Sequence, residues 1–240
     1  MIEARALTKR FGGVIALDGV SFRLARGSRT ALLGANAAGK STLLSLLSTL
    51  ATPTSGEARI DGFDVAAAPP ALRRRLGVMT HLPMVYEELS AEENLSLFAR
   101  LYEVRDAASR IEELLRTVGL WLRRDEPAAV LSRGAHQRLA IARALIHRPD
   151  VLLFDEPETG LDEQGLVMLD ELTLGGADAE LTVLAATHRR DRVGSWADGT
   201  IVLERGRVVE DTTAPGTTSA EPADEPSTGD ARAASLRVVQ

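Results

Sequence analysis

The chain has 240 residues, 45% of them hydrophobic, with a formal net charge of −6 and a pI near 5.4. That suffices for one substantial core or one domain with a sub-lobe, and the acidic balance argues against a nucleic-acid partner held by a general basic surface. Cysteine is absent, which excludes disulfides, thiolate metal sites and thiol catalysis.

No apolar run approaches the roughly 18 residues of a membrane span, and Met1 to Arg5 does not open a signal peptide. The chain is therefore expected neither to cross nor to anchor in a membrane by itself. Ile2 to Leu7, Val20 to Leu24 and Glu57 to Ile60 alternate as antiparallel strands do, with Val20, Phe22 and Leu24 on one face. Between them, Thr30-Ala31-Leu32-Leu33 is an apolar run of strand length. Leu43, Leu47 and Leu50, with Leu44 and Leu46, follow at helical spacing. The join between strand and helix, Gly34, Ala35, Asn36, Ala37, Ala38, Gly39, Lys40, Ser41 and Thr42, reads Gly-x-x-x-x-Gly-Lys-Ser.

Strand, glycine loop and helix is the context in which this motif wraps a phosphate chain with backbone N–H groups and the positive helix end. Gly34 and Gly39 permit a tight turn and close approach to oxygen atoms. Lys40, one of only two lysines in the chain, is expected to reach the β- and γ-phosphates of ATP, and the Ser41 hydroxyl to ligate Mg²⁺.

From about residue 82 to 147 the pattern turns helical. Ser90 and Glu93 form a capping box ahead of Leu95, Phe98 and Leu101. Ile111, Leu114, Leu115 and Val118 make a second apolar stripe, and Leu139, Ala142, Leu145 and Ile146 a third. Val151 to Phe154 and Thr182 to Ala186 are continuous apolar runs, as in parallel strands covered on both faces. Thr200 to Leu203, a turn at Arg205-Gly206 and Val208 to Glu210 read as a closing hairpin. The expected fold is α/β: a P-loop NTPase parallel sheet core with an antiparallel β-subdomain and an inserted α-helical subdomain, within residues 1–211. Residues 212–240 are polar and acidic with few apolar side chains and are expected to be a disordered tail.

The strand Val151 to Phe154 ends in Asp155-Glu156-Pro157. A carboxylate at the end of a central strand is placed to hold Mg²⁺ beside phosphates, so Asp155 joins Ser41 as a metal ligand. Glu156 is positioned to polarise an attacking water. Ser132 stands 23 residues before Asp155. Leu131-Ser132-Arg133-Gly134-Ala135-His136-Gln137-Arg138 opens a helix expected to run to Arg148. This stretch, continued through Ala140-Ile141-Ala142-Arg143-Ala144-Leu145, resembles the signature motif of ATP-binding-cassette (ABC) ATPases. Thr159-Gly160-Leu161-Asp162 resembles that family's D-loop and Ala186-Thr187-His188 its switch histidine. Phe11 sits where the family stacks an aromatic on adenine. Taken alone, Phe11 also reads as a core aromatic, His188 as a strand-end histidine and Ser132 as a helix N-cap. The resemblance covers about residues 2 to 210 in the family's order.

The resemblance implies a head-to-tail pair of such domains, expected to be a homodimer, with each ATP between one phosphate loop and the other domain's signature. Ser132, Arg133, Gly134 and Asp162 would then face the partner's nucleotide, Glu156 would act as general base and His188 would contact the γ-phosphate. It further implies a separate transmembrane permease, its coupling helix docking near residues 82 to 105 beside Tyr86 and Phe98, which places the chain peripherally at the cytoplasmic face of the membrane. Export, with haem or cytochrome-maturation cargo as the subfamily hint, is the expected task; a soluble non-transport ATPase or a weakly hydrolysing regulator is the alternative. The family's glutamine at the junction with the helical lobe is missing: it maps onto Leu82 in the haem-exporter-like alignment and onto His81 when aligned from Gly77. Slowed or loosely coupled hydrolysis is expected from that loss. Arg133 and Ala37 replace usual glycines and Ala135 a usual glutamine, with Ala37 expected to be harmless.

Overall fold

The computed structural model describes residues 1–82, 84–174 and 181–213. Apart from Thr212 and Thr213, the tail expected from residue 212 lies outside the described residues. In chain order, β1 (Ile2–Phe11) and β2 (Val14–Leu24) form an antiparallel pair, followed by β3 (Arg29–Leu33) and α1 (Lys40–Leu47). Next come β4 (Ser55–Ile60), β5 (Phe63–Asp64), α2 (Pro70–Arg73) and β6 (Leu76–Met79). Three helices follow, α3 (Ala91–Leu101), α4 (Ala107–Thr117) and α5 (Arg133–Leu145). The chain then passes through β7 (Val151–Asp155), α6 (Glu163–Leu174), β8 (Thr182–Ala186), α7 (Arg190–Trp196), β9 (Gly199–Glu204) and β10 (Arg207–Asp211).

Two sheets result. One is antiparallel, in the order β2-β1-β4-β5; the other runs β10-β9-β3-β8-β7-β6 and is parallel except for β10 at its edge. β1 and β2 are longer than their alternating segments. The register of the pair shifts between Ala4 and Leu7 and again up to Arg10, with Ala6 at φ 46. A bulge of this kind resets which face a side chain occupies, so the strand continues past Leu7 without its alternation.

The central strands are covered on both faces, and the period of two sorts their side chains. Leu153 and Leu184 point into a cluster with Ile2, Leu24, Leu43 and Ile60. Leu152, Phe154 and Val183 point the other way, into a cluster with Leu95, Leu114 and Leu139 from α3, α4 and α5. Phe154 is fully buried there, worth about 1.5–3 kcal/mol of transfer free energy.

Two helix ends differ from the apolar spacing. α1 closes at Ser48, Thr49 takes φ 63, and Leu50 falls past the end, 55% exposed, so it is no part of the helix's buried stripe. α5 stops at Leu145 rather than Arg148, which has φ 52 ahead of Pro149. The residue before a proline is pushed out of the helical region, which explains the early stop. The capping box of α3 forms as expected: Glu93 N donates to Ser90 Oγ at 3.1 Å and Ser90 N to Glu93 Oε2 at 2.8 Å. Among the described residues no helix is long and apolar enough to cross a membrane.

Candidate functional site

The loop from Gly34 to Gly39 leaves the C-terminal end of β3 and turns directly into α1. A Cβ on Gly39, at φ 108, would lie 2.7 Å from Ala16 O and 2.8 Å from Leu17 Cδ2. A side chain is therefore excluded by β2 packing against the loop, a reason separate from access to phosphate. Lys40 is buried at 6% exposure, and its Nζ donates to Gly34 O at 2.8 Å and Ala35 O at 3.1 Å. The ammonium thus lies inside the loop, held by the carbonyls that phosphate oxygens would replace. Ala37 has φ 62, a left-handed conformation that costs an alanine about 1 kcal/mol relative to its ordinary regions. A glycine at this position would carry no such backbone cost.

The loop residues 36–42 wall an open pocket of about 450 Å³, with Phe11, Val14 and Ile15 on one side and Glu156 on the other. Phe11 is 55% exposed and Lys9 Nζ stands 4.9 Å from its ring centroid, so the core reading of this aromatic is excluded.

Glu156 follows the buried end of β7 and has φ 52; its N–H donates to Ala186 O at 2.9 Å, fixing the turn against β8. Its carboxylate is part-exposed. Oε1 lies 3.6 Å from His188 Nδ1, and Oε2 accepts from Thr159 Oγ1 at 3.4 Å. His188 reaches this position from the end of β8. Thr187 beside it donates through Oγ1 to Glu158 Oε1 and accepts from Arg189 N at 3.0 Å. Asp155 is 7% exposed and, with Ser41, closes a second cavity of about 220 Å³ whose far wall carries Thr80, His81 and Leu82. Hydroxyl and carboxylate are the hard oxygen donors that suit Mg²⁺. Neither His81 nor Leu82 brings an amide.

Ser132, Arg133, Gly134 and Asp162 are elsewhere. Among the described residues, the lining of the phosphate-loop pocket includes none of them. Ser132 caps α5, its Oγ accepting from Ala135 N at 3.3 Å. Asp162 Oδ1 accepts from Gly165 N at 2.9 Å at the start of α6. The two segments pack on each other: a Cβ on Gly134 would meet Gly160 O at 2.8 Å.

Two residues given no role of their own in the sequence fix the surrounding backbone. Gln137 Nε2 donates to Pro157 O at 3.0 Å and Glu156 O at 3.3 Å, tying α5 to the loop behind Glu156. Asn94, fully buried, staples the segment 86–90: its Oδ1 accepts from Tyr86 N, and the two Nδ2 hydrogens are shared among the carbonyls of Tyr86, Leu89 and Ser90. Its signal was an amide on the apolar face of α3, one residue before Leu95.

A family model for the ABC transporter matches residues 17–159. This chain belongs to the ABC transporter ATP-binding family. The cassette is 37% identical over 214 residues to the daunorubicin/doxorubicin resistance ATP-binding protein DrrA of Streptomyces peucetius, covering 88% of this chain and 65% of DrrA. It is 35% identical to the ABC transporter ATP-binding protein NatA of Bacillus subtilis (strain 168), covering 82% of this chain and 81% of NatA. It thus spans about two thirds of the DrrA relatives' length. Among solved structures, an ATP-binding subunit of an ABC transporter superposes with a TM-score of 0.83 at 30% identity, over 89% of this chain and 90% of that one. The dimeric, post-hydrolysis cassette MJ0796 bound to ADP and Pi superposes at 0.78 with 26% identity, over 90% of this chain and all of that one. Fold and family are those of an ABC ATPase.

Proposed function

We propose that this cassette, residues 1–211 with the helical subdomain at about 82–147, binds and hydrolyses ATP to power solute export through a membrane permease on a separate chain. The carrying observation is the division of the site. Phe11, Lys40, Ser41 and Glu156 converge on one pocket with His188 3.6 Å from Glu156, while Ser132 to Gly134 lie outside it. A site split in this way is completed by a second copy docked head to tail. Its α5 N-terminus, with the Ser132 hydroxyl and Arg133, then supplies donors and positive potential to the γ-phosphate, and Asp162 takes its place at the same junction.

Each residue has a defined task. Phe11 offers an exposed ring for adenine, flanked by Val14 and Ile15. Loop N–H groups and Lys40 hold the phosphates, with Lys40 exchanging the Gly34 and Ala35 carbonyls for phosphate oxygens. Glu156 accepts the proton of the attacking water, and His188 holds the γ-phosphate beside it. Ser41 and Asp155 would hold Mg²⁺, which would neutralise charge on the phosphates.

The permease reading is supported by a groove of about 310 Å³ where α3 meets α5, lined by Met84, Phe98 and Tyr102 above the buried Arg143. Tyr86 packs beside Phe98 with ring centroids 6.4 Å apart. Such a groove suits a short coupling helix, and the chain is then peripheral at the cytoplasmic face. The DrrA relatives' names favour drug-like amphipathic cargo; haem rests on the His81-Leu82-Pro83 resemblance and Arg133 alone.

The Glu156→Gln protein is expected to form an ATP-dependent dimer by gel filtration with light scattering. A monomer in saturating ATP overturns both the base assignment and the split site. Purification from native membranes is expected to bring down a polytopic membrane protein in near-stoichiometric yield. Recovery in the soluble fraction alone would favour a non-transport ATPase.

A further inference from the structure

We propose that the cation accompanying the nucleotide here takes a nitrogen ligand, the imidazole of His81, which makes the site prefer Mn²⁺ over Mg²⁺. This rests on the nucleotide-site reading above. The cavity of about 220 Å³ is lined by Ser41 and Asp155 together with Thr80, His81, Leu82 and Met84. Asp155 is 7% exposed, and among the described residues its carboxylate has no hydrogen-bond or ion-pair partner. The carboxylate opens only onto this cavity, and an unpaired anion with so little access to bulk water is a natural ligand for a cation bound there.

The far wall decides which cation. Leu82 is 62% exposed and has no donor atom to offer. The Thr80 hydroxyl is engaged within its own loop, donating to Leu82 O at 2.9 Å and accepting from Leu82 N at 3.3 Å. Among the described residues the ring nitrogens of His81 have no partner, and against the soft thioether of Met84, the other uncommitted group of this lining, they are the better ligand for a divalent cation beside phosphate. Mg²⁺ demands oxygen ligands and parts reluctantly with water, whereas imidazole suits the first-row transition ions. A mixed set of hydroxyl, carboxylate, phosphate and imidazole is therefore better matched to Mn²⁺.

The experiment is pulsed EPR on the full chain with Mn²⁺ and a non-hydrolysable ATP analogue, so that turnover plays no part. A ¹⁴N coupling of directly bound imidazole is expected in the wild type and in His188→Gln, the other histidine near the phosphates, and its loss in His81→Gln. Labelling the wild type with ¹⁵N-histidine must shift the nitrogen frequencies, which tests the ligand even if the variant folds poorly. By equilibrium nucleotide binding, the preference for Mn²⁺ over Mg²⁺ is expected to fall at least about tenfold in His81→Gln. Bound Mn²⁺ with no ¹⁴N coupling, or a coupling that survives in His81→Gln, overturns the imidazole ligand and leaves the nucleotide site standing. Failure of the Mn²⁺–analogue complex to bind overturns both.

Discussion

Replacing Asn94 with alanine removes every hydrogen bond of its side-chain amide at once, and the structure shows how much each one matters. Its Oδ1 accepts from Tyr86 N at 2.8 Å, and its Nδ2 lies within hydrogen-bond reach of three carbonyls: Tyr86 O and Ser90 O at 2.9 Å and Leu89 O at 3.2 Å. The carbonyls keep other donors: Leu89 N for Tyr86, Ala128 N for Leu89 and Asn94 N for Ser90. Only the Tyr86 N–H is orphaned. The two Nδ2 hydrogens, in replaceable bonds at about 0.5 kcal/mol each, and one orphaned donor at about 1–3 kcal/mol give a loss of roughly 2–4 kcal/mol. For a domain of this size that lowers Tm by about 4–16 °C. The assays are differential scanning calorimetry and hydrogen exchange, in which the Tyr86 amide is expected to lose its protection. A Tm within about 1 °C of wild type, with Tyr86 still protected, would refute the staple.

Ala37→Gly relieves a left-handed alanine at the expense of a more flexible unfolded chain. The net gain is about 0.5 kcal/mol, so Tm is expected to rise by about 1–2 °C, and a fall would show that the φ of 62 carries no strain. Leu82→Gln restores an oxygen donor on the cavity wall facing Ser41 and Asp155 and is expected to raise Mg²⁺-dependent ATP turnover about tenfold. Unchanged turnover and unchanged stimulation by a permease would remove this loop from the reaction. Burial, reinforced by the charges of Arg143 and Arg110, pushes the His147 pKa down from 6.5 to about 4. The unfolded chain therefore gains this proton first, and stability is lost as pH falls from 6.5 toward 4, by at most about 3 kcal/mol. Denaturant midpoints for His147→Asn are expected to fall less steeply over that window; parallel slopes would contradict the buried neutral imidazole.

The parts of the fold that the sequence made legible are those written in local chemistry. The phosphate loop, the capping box and the doubly apolar strands each have a short-range physical cause, and each stands where its residues placed it. The end of α5 was misplaced because the apolar stripe continues through Ile146 while the backbone already turns ahead of Pro149. β1 ran on beyond Leu7 because a bulge broke the alternation. The groupings that make the site depend on contacts across long stretches of chain. Gln137 meets the carbonyl of Glu156, Thr187 meets Glu158, and His81 shares a cavity with Ser41. The sheet order β3-β8-β7-β6 sets the loops after these strands side by side, α5 packs behind them, and no local pattern encodes either.

Glu156 occupies a backbone conformation, φ 52, in which glycine or asparagine would sit more comfortably. A library screened only for thermal tolerance should therefore drift away from glutamate at this position, each such winner being sturdier and chemically silent. The persistence of glutamate in a population of variants would report selection for turnover, readable by deep sequencing before any enzyme is purified.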